Sequence, residues 1–306
     1  MISVVNASRW YGQVIGINDI TCEIGTGITA LLGQNGAGKS TLIKLLTGQL
    51  RPTTGEVRVF GRNPFANPAV LGQLGYCPEV DAFYEEMTGR EFVELMARMG
   101  RIERSRVKSE AQRALELVEM QDRADRKVAG FSKGMRQRIK LAAALVHEPD
   151  ILILDEPLNG LDPLGRRHVG QLLKDLAGAG KTVLISSHIL HEIEALTSTI
   201  LLLHRGRLLA QGDVRTIRSL IDRHPHHIRI RTDDARSLGV RILELPSVLS
   251  VELSQNDPHA IELQTNQPDA FYTAFGQLVV AESINVESMY SPDNNLESVF
   301  SYLVRS

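Results

Sequence analysis

The sequence predicts an α/β core with a helical insertion, followed by a small α+β domain. Three observations predict it. Apolar runs at 28–32, 151–154 and 182–186 have strand length and no polar alternation, as in buried parallel strands. Between about residues 88 and 146 the apolar spacing turns helical. Beyond the tetrapeptide His224-Pro225-His226-His227 the pattern becomes strand, helix, strand, strand, helix, strand.

The first strand, 28–32, runs into a glycine-rich turn and then a helix from Lys39 to about Thr47, which Gly48 stops. In the insertion, Phe92, Leu95, Met96 and Met99 sit at i, i+3, i+4, i+7, and Leu115 with Val118 repeats that spacing. A strand at 74–78 precedes it. The His-rich tetrapeptide reads as a Pro-broken linker rather than a metal site, because no other ligands flank it. Past it, Ile228 and Ile230, then 248–253, 260–263, and Ile284 with Val286 read as strands, with helices at about 234–243 and 269–278. That order fits a ferredoxin-like domain. A last helix has Asn294 as N-cap, Glu297 at N3, and an apolar stripe of Leu296, Val299, Phe300 and Leu303. The expected organisation is a first domain at 1–222, with its helical subdomain at about 86–146, and a second at 223–306.

The chain has 306 residues, 43% hydrophobic and 23% charged, with a net charge of −2, which is ordinary for a soluble globular protein. No bulk electrostatic pull toward nucleic acid or anionic lipid follows. From Arg223 onward there are 6 Arg, no Lys and 11 acidic residues, so the second domain is acidic. Cys22 and Cys77 lie in apolar stretches and read as buried, reduced thiols. No basic-then-apolar segment opens the chain, and the apolar runs fall well short of the roughly 20 residues that cross a bilayer. Any action on a membrane is expected to go through a partner.

The chemistry starts at Gly33-Gln34-Asn35-Gly36-Ala37-Gly38-Lys39-Ser40-Thr41. It follows a strand and opens a helix, the context of a phosphate-binding loop. Glycines let successive N–H groups turn toward one centre, and the helix N-terminus favours phosphate. Lys39 is expected to bridge β and γ phosphates of ATP, and Ser40 to hold Mg²⁺. Next, the strand at 151–154 ends in Asp155-Glu156, at the carboxyl edge of the sheet. Asp155 suits the surroundings of Mg²⁺, and Glu156 suits the base that orients or deprotonates the attacking water.

Phe131-Ser132-Lys133-Gly134-Met135-Arg136-Gln137-Arg138 stands just before that strand and resembles the signature sequence of ABC-type ATPases. Ser132 can cap a helix whose free N–H groups face outward. Further pieces of that family's pattern occur in order. Tyr11 resembles the aromatic residue that stacks on adenine, Asn159-Gly160-Leu161-Asp162 the loop joining two active sites, and His188 the histidine that contacts the γ-phosphate. The resemblance covers roughly residues 1–220. It implies a P-loop NTPase core of RecA-like, mixed-sheet form, working as a homodimer or paired cassette in which Ser132 and Gly134 complete the nucleotide site in trans and Asp162 is a further nucleotide-site residue.

One position departs from the family. Glu79 follows Pro78 where the family has a Gln that ligates Mg²⁺. A carboxylate has the same reach and suits a hard cation, so Glu79 is expected to keep the metal role. The wording of the signature and of 156–163 resembles cassettes of bacterial exporters with a separately encoded integral-membrane permease, and 291–300 resembles the tail of multidrug-type members. The resemblance therefore implies an ATPase at the cytoplasmic face of the membrane, powering an exporter. The alternative, a soluble ABC ATPase acting on DNA or the ribosome, fits less well. Fewer than about a hundred residues separate the phosphate loop from the signature, each motif occurs once, and the second domain is acidic.

Overall fold

In a computed structural model, residues 2–219 and 225–292 are described. The chain forms two compact units, Met1–Asp213 and Val214–Ser306. The change of pattern in the sequence stands slightly later, at 222/223. The tail helix expected from Asn294 to Leu303 lies outside the described residues.

In the first unit, β1 (Ile2–Tyr11) and β2 (Val14–Ile24) form a hairpin. β3 (Gly27–Leu32) enters the phosphate loop, α1 (Lys39–Leu46) leaves it, and β4 (Thr54–Val59) returns to β1. A short α2 (Pro68–Leu71) precedes β5 (Leu74–Cys77). The insertion is α3 (Gly89–Met99), α4 (Val107–Leu117) and α5 (Lys133–Leu145). The core resumes with β6 (Ile151–Asp155), α6 (Pro163–Gly178), β7 (Thr182–Ser187), α7 (Leu190–Glu194), β8 (Thr199–His204) and β9 (Arg207–Asp213).

Two sheets result. The larger has the order β5-β6-β7-β3-β8-β9, parallel except for β9. β6 and β7 are buried throughout and β3 at all but its first residue, which is why they read as apolar runs. The smaller sheet, β2-β1-β4, is antiparallel. Ile2, Val4, Ile17 and Ile20 from it pack in one core with Leu42, Ile43 and Leu46 of α1 and Leu31 of β3.

The helices start where side chains satisfy their first N–H groups. Thr88 and Glu91 form a reciprocal capping box on α3, Ser132 accepts from Met135 N on α5, and Asp162 accepts from Gly165 N on α6 with Pro163 at its first turn. The apolar stripe expected on α3 is corrected by the packing. Phe92, Val93 and Ala97 are buried, whereas Leu95 and Met96 are only partly covered and Met99 is 69% exposed. The buried face lies about a residue round the helix, where Gly89 allows close approach to Ile139 of α5 and to Phe131.

The second unit opens with α8 (Val214–Ser219) and continues as β10 (His226–Thr232), α9 (Ala235–Leu243), β11 (Ser250–Leu253), β12 (Ala260–Thr265), α10 (Pro268–Glu282) and β13 (Val286–Tyr290). Its sheet is antiparallel with the order β11-β12-β10-β13, the ferredoxin-like arrangement. Ile228, Ile230, Ile261 and Leu263 pack against Leu238 and Ile242 of α9 and Phe271 and Phe275 of α10. Among the described residues no helix is long and apolar enough to cross a membrane.

Candidate functional site

The loop after β3 is built from backbone that only glycine tolerates well. Gly36 and Gly38 have φ of +80° and +108°. A Cβ on Gly38 would lie 2.7 Å from Gly16 O and 2.9 Å from Ile17 Cγ2. Lys39, the first residue of α1, is buried, and its Nζ donates to Gly33 O at 2.6 Å and Gln34 O at 3.4 Å. The ammonium is thereby folded back along the loop.

A cleft of about 410 Å³ opens over this loop. Gln34, Asn35, Gly36, Gly38, Lys39, Ser40 and Thr41 line its floor, Tyr11 and Gly16 one wall, and Glu79, Asp155, Glu156 and His188 the other. Two further residues of the loop, Gly33 and Ala37, are held in its internal hydrogen bonds. Gly33 supplies the carbonyl that holds Lys39, while Ala37 N donates to Gln34 O at 3.0 Å and Ala37 O accepts from Gly206 N at 2.9 Å. Tyr11 ends β1, with its hydroxyl 3.5 Å from Thr41 Oγ1 and the Arg9 guanidinium 5.3 Å from its ring centre. Tyr11 is 42% exposed, so its aromatic side chain is accessible from the cleft.

Asp155 is the last residue of β6 and Glu156 follows it, and both are buried. Glu156 adopts φ of +51°, a left-handed turn that swings its side chain off the strand direction. Its carboxyl is held above the usual carboxylate range, first by burial, against the opposing pull of His188, whose Nδ1 lies 2.9 Å from Glu156 Oε2. The nearby Lys39 charge lowers it further and that of Glu79 raises it. A raised carboxyl beside an imidazole is suited to accepting a proton.

Two residues that sequence patterning misses help to build this wall. Ser186 is fully buried on β7, opposite Asp155 in the register. Its hydroxyl donates to Asp155 Oδ1 at 2.5 Å and accepts from Glu156 N at 3.0 Å. A serine ending an otherwise apolar run is the only trace of it in the sequence. Gly16 lets Tyr11 approach Thr41, since a Cβ there would lie 2.7 Å from Tyr11 Cε2; nothing in the sequence marks that contact.

Ser132, Gly134 and Asp162 lie elsewhere. With Lys133, Gly160, Arg138 and Gln121 they line a second cleft of about 780 Å³, and the residues of the two clefts do not overlap. The N-terminus of α5 opens into this second cleft. Gly134 permits close approach there, as its Cβ would lie 3.0 Å from Gly160 O. Asp162 Oδ1 accepts from Gly165 N at 2.9 Å, so it caps α6 as it lines the cleft. Cys22 and Cys77 are free and buried, with burial pushing both thiols up to about 12.

The donors fit a hard cation. Ser40, Glu79 and Asp155 offer a hydroxyl and two carboxylates on one cleft. Among the described residues no group of three or more His, Cys, Asp or Glu could hold a metal alone.

Several known proteins resemble this chain along most of its length. Residues 17–159 match the family described as ABC transporter. The chain is similar to the bacitracin transport ATP-binding protein of Bacillus licheniformis, with 32% identity over 99% of this chain and 97% of that protein. It is also 32% identical to the Nod factor export ATP-binding protein of Rhizobium meliloti, over 98% of this chain and 86% of that one. Among solved structures, a dimeric bacterial ABC transporter cassette superposes with a TM-score of 0.63 at 25% identity, covering 70% of this chain and 98% of that one.

Proposed function

From the premise that this chain belongs to the ABC transporter family, as an ATP-binding subunit that hydrolyses ATP, we propose that two copies, or one copy and a related cassette, close head to tail around ATP to power a separate integral-membrane permease. The observation that carries this reading is the split of the site. One cleft gathers the phosphate loop with Glu156 and His188, while the free end of α5 opens into another. Each cleft lacks what the other holds, and a twofold pairing supplies both.

In this reading Tyr11 stacks on adenine, and the N–H groups around Asn35, Gly36 and Gly38 with Lys39 and Thr41 hold the phosphates. Ser40, Glu79 and Asp155 hold Mg²⁺, which neutralises phosphate charge when bound. Glu156 takes a proton from water as its oxygen attacks the γ-phosphorus and the bond to the β-phosphate oxygen breaks. His188 steadies the Glu156 carboxylate and faces the γ-phosphate. Ser132, Gly134 and Asp162 act on the partner's nucleotide. Loss of the γ-phosphate then releases the pair.

The permease, the cytoplasmic face of the membrane and the outward direction belong to the same proposal. Their support is that the named relatives serve bacitracin transport and Nod factor export. The second unit is proposed to regulate or stabilise the pair. The test is Glu156→Gln with saturating ATP and Mg²⁺, followed by sedimentation. A stable dimer with very slow hydrolysis is expected; a monomer that holds ATP would overturn the sandwich. Co-purification from membranes with a multi-span protein is the corresponding test of the permease.

A further inference from the structure

We infer that Lys140 is a positioning residue that ties the Glu79 side of the phosphate cleft to the helix opening into the second cleft. Lysine is seldom buried unless paired, yet Lys140 is only 5% exposed. All three donors of its ammonium are used: Pro78 O at 2.9 Å, Glu79 O at 2.8 Å and Asp81 Oδ1 at 2.9 Å.

Two successive carbonyls facing one cation fix the orientation of both peptide planes, and with them the direction in which Glu79 leaves the backbone. Lys140 is not alone on this face of α5. Arg136, one turn earlier, makes a two-pronged pair with Glu85 at 2.7 and 2.9 Å, and Gln137 Nε2 donates to Cys77 Sγ at 3.6 Å. The segment 77–85, which carries Glu79, is therefore clamped to α5 at its start, near Glu79 and at its end.

Ser132 caps the start of the same helix. Lys140 lies eight residues on, about 12 Å along the axis at 1.5 Å per residue. A helix is stiff over that length, so tilt or rotation at its N-terminal end moves the Lys140 ammonium and the Glu79 peptide with it. The chain thereby carries a mechanical link between its two clefts. A buried ammonium is costly to desolvate, and an apolar side chain would pack there as well. The retained charge is explained by the placement of Glu79. This inference rests on the reading that Glu79 contributes to Mg²⁺ and that two copies share each nucleotide.

The test measures the Mg²⁺ half-saturation both of fluorescent ATP-analogue binding and of hydrolysis, together with the ATP Hill coefficient of hydrolysis, in the full chain and in Lys140→Met, Lys140→Arg and Asp81→Asn. Binding of a fluorescent ADP analogue serves as the folding check. Lys140→Met should bind the ADP analogue as the parent does, yet need about tenfold more Mg²⁺, as when a group that orients a metal ligand is removed. Its Hill coefficient should fall toward 1, and Lys140→Arg should recover part of both losses. In a Glu79→Ala background the change at 140 should add little, because it acts through residue 79.

Mg²⁺ dependence and cooperativity within twofold of the parent in Lys140→Met would overturn the inference. Should that variant fail to bind the ADP analogue, Lys140→Arg and Asp81→Asn decide by the same readouts. If the parent itself shows no cooperativity, or Glu79→Ala leaves its Mg²⁺ dependence untouched, the underlying reading of the site fails instead.

Discussion

Ser186 Oγ donates to Asp155 Oδ1 at 2.5 Å, and the same oxygen accepts the main-chain N–H of Glu156 at 3.0 Å. One buried hydroxyl on β7 therefore sets both carboxylates at the end of β6. Ser186→Ala would leave a buried carboxylate oxygen and a buried N–H each short of a partner, at about 1–3 kcal/mol. The expected outcome is a lower melting temperature and a Mg²⁺ half-saturation raised about tenfold or more. A calorimetric scan and a Mg²⁺ titration of hydrolysis check it, and an unchanged titration would show that Ser186 serves stability alone.

The raised carboxyl of Glu156 makes a prediction about stability. Burial is the main cause, so folding favours the protonated form. For such a group the favourable contribution is complete below the unfolded value of about 4.3, and it is lost as pH rises through the raised folded value. Nucleotide-free Glu156→Gln should therefore melt higher than the parent at neutral pH, with the gap closing below about pH 4. Thermal melts across pH check the sign.

His188 works against that burial from 2.9 Å. Removing it in His188→Gln should let the Glu156 carboxyl rise further. Besides a fall in kcat, the acid limb of the kcat/KM–pH profile should move to higher pH. A profile that keeps its acid limb would separate His188 from the protonation of Glu156.

Gly16 is predicted to control nucleotide affinity through Tyr11. An added Cβ would meet Tyr11 Cε2 at 2.7 Å and Thr41 Oγ1 at 2.9 Å, so Gly16→Ala must displace the ring. Losing a stacked ring costs about 0.5–1.5 kcal/mol, or a Kd for ATP weaker by about two- to thirteenfold. Tyr11→Ala should give a similar loss, and the double variant should add little to either. Calorimetric titration with ATP measures all three.

The sequence makes the larger sheet legible because its strands are buried on both faces and spell apolar runs such as 151–154. The ferredoxin-like order in the second unit is legible for another reason. Ile228 and Ile230, and Ile261 and Leu263, alternate with polar neighbours on a sheet covered on one side. The antiparallel sheet β2-β1-β4 is not legible. Register shifts along β1 break the period-2 alternation, and Val14 and Ile15 are exposed although apolar. On α3 the apolar positions outnumber those the packing can bury, so Met99 misleads. The phosphate loop announces itself through local backbone needs. Ser186, Gly16 and Lys140 act through contacts between residues far apart in the chain, and no local pattern encodes them.

Glutamate at 156 turns at φ of +51°, a geometry that penalises every side chain except hydrogen. A library selected for heat resistance alone would drift toward glycine at this position and lose turnover as it did so. The position is thus one where sturdiness and chemistry pull in opposite directions, and thermostabilising efforts should leave it fixed.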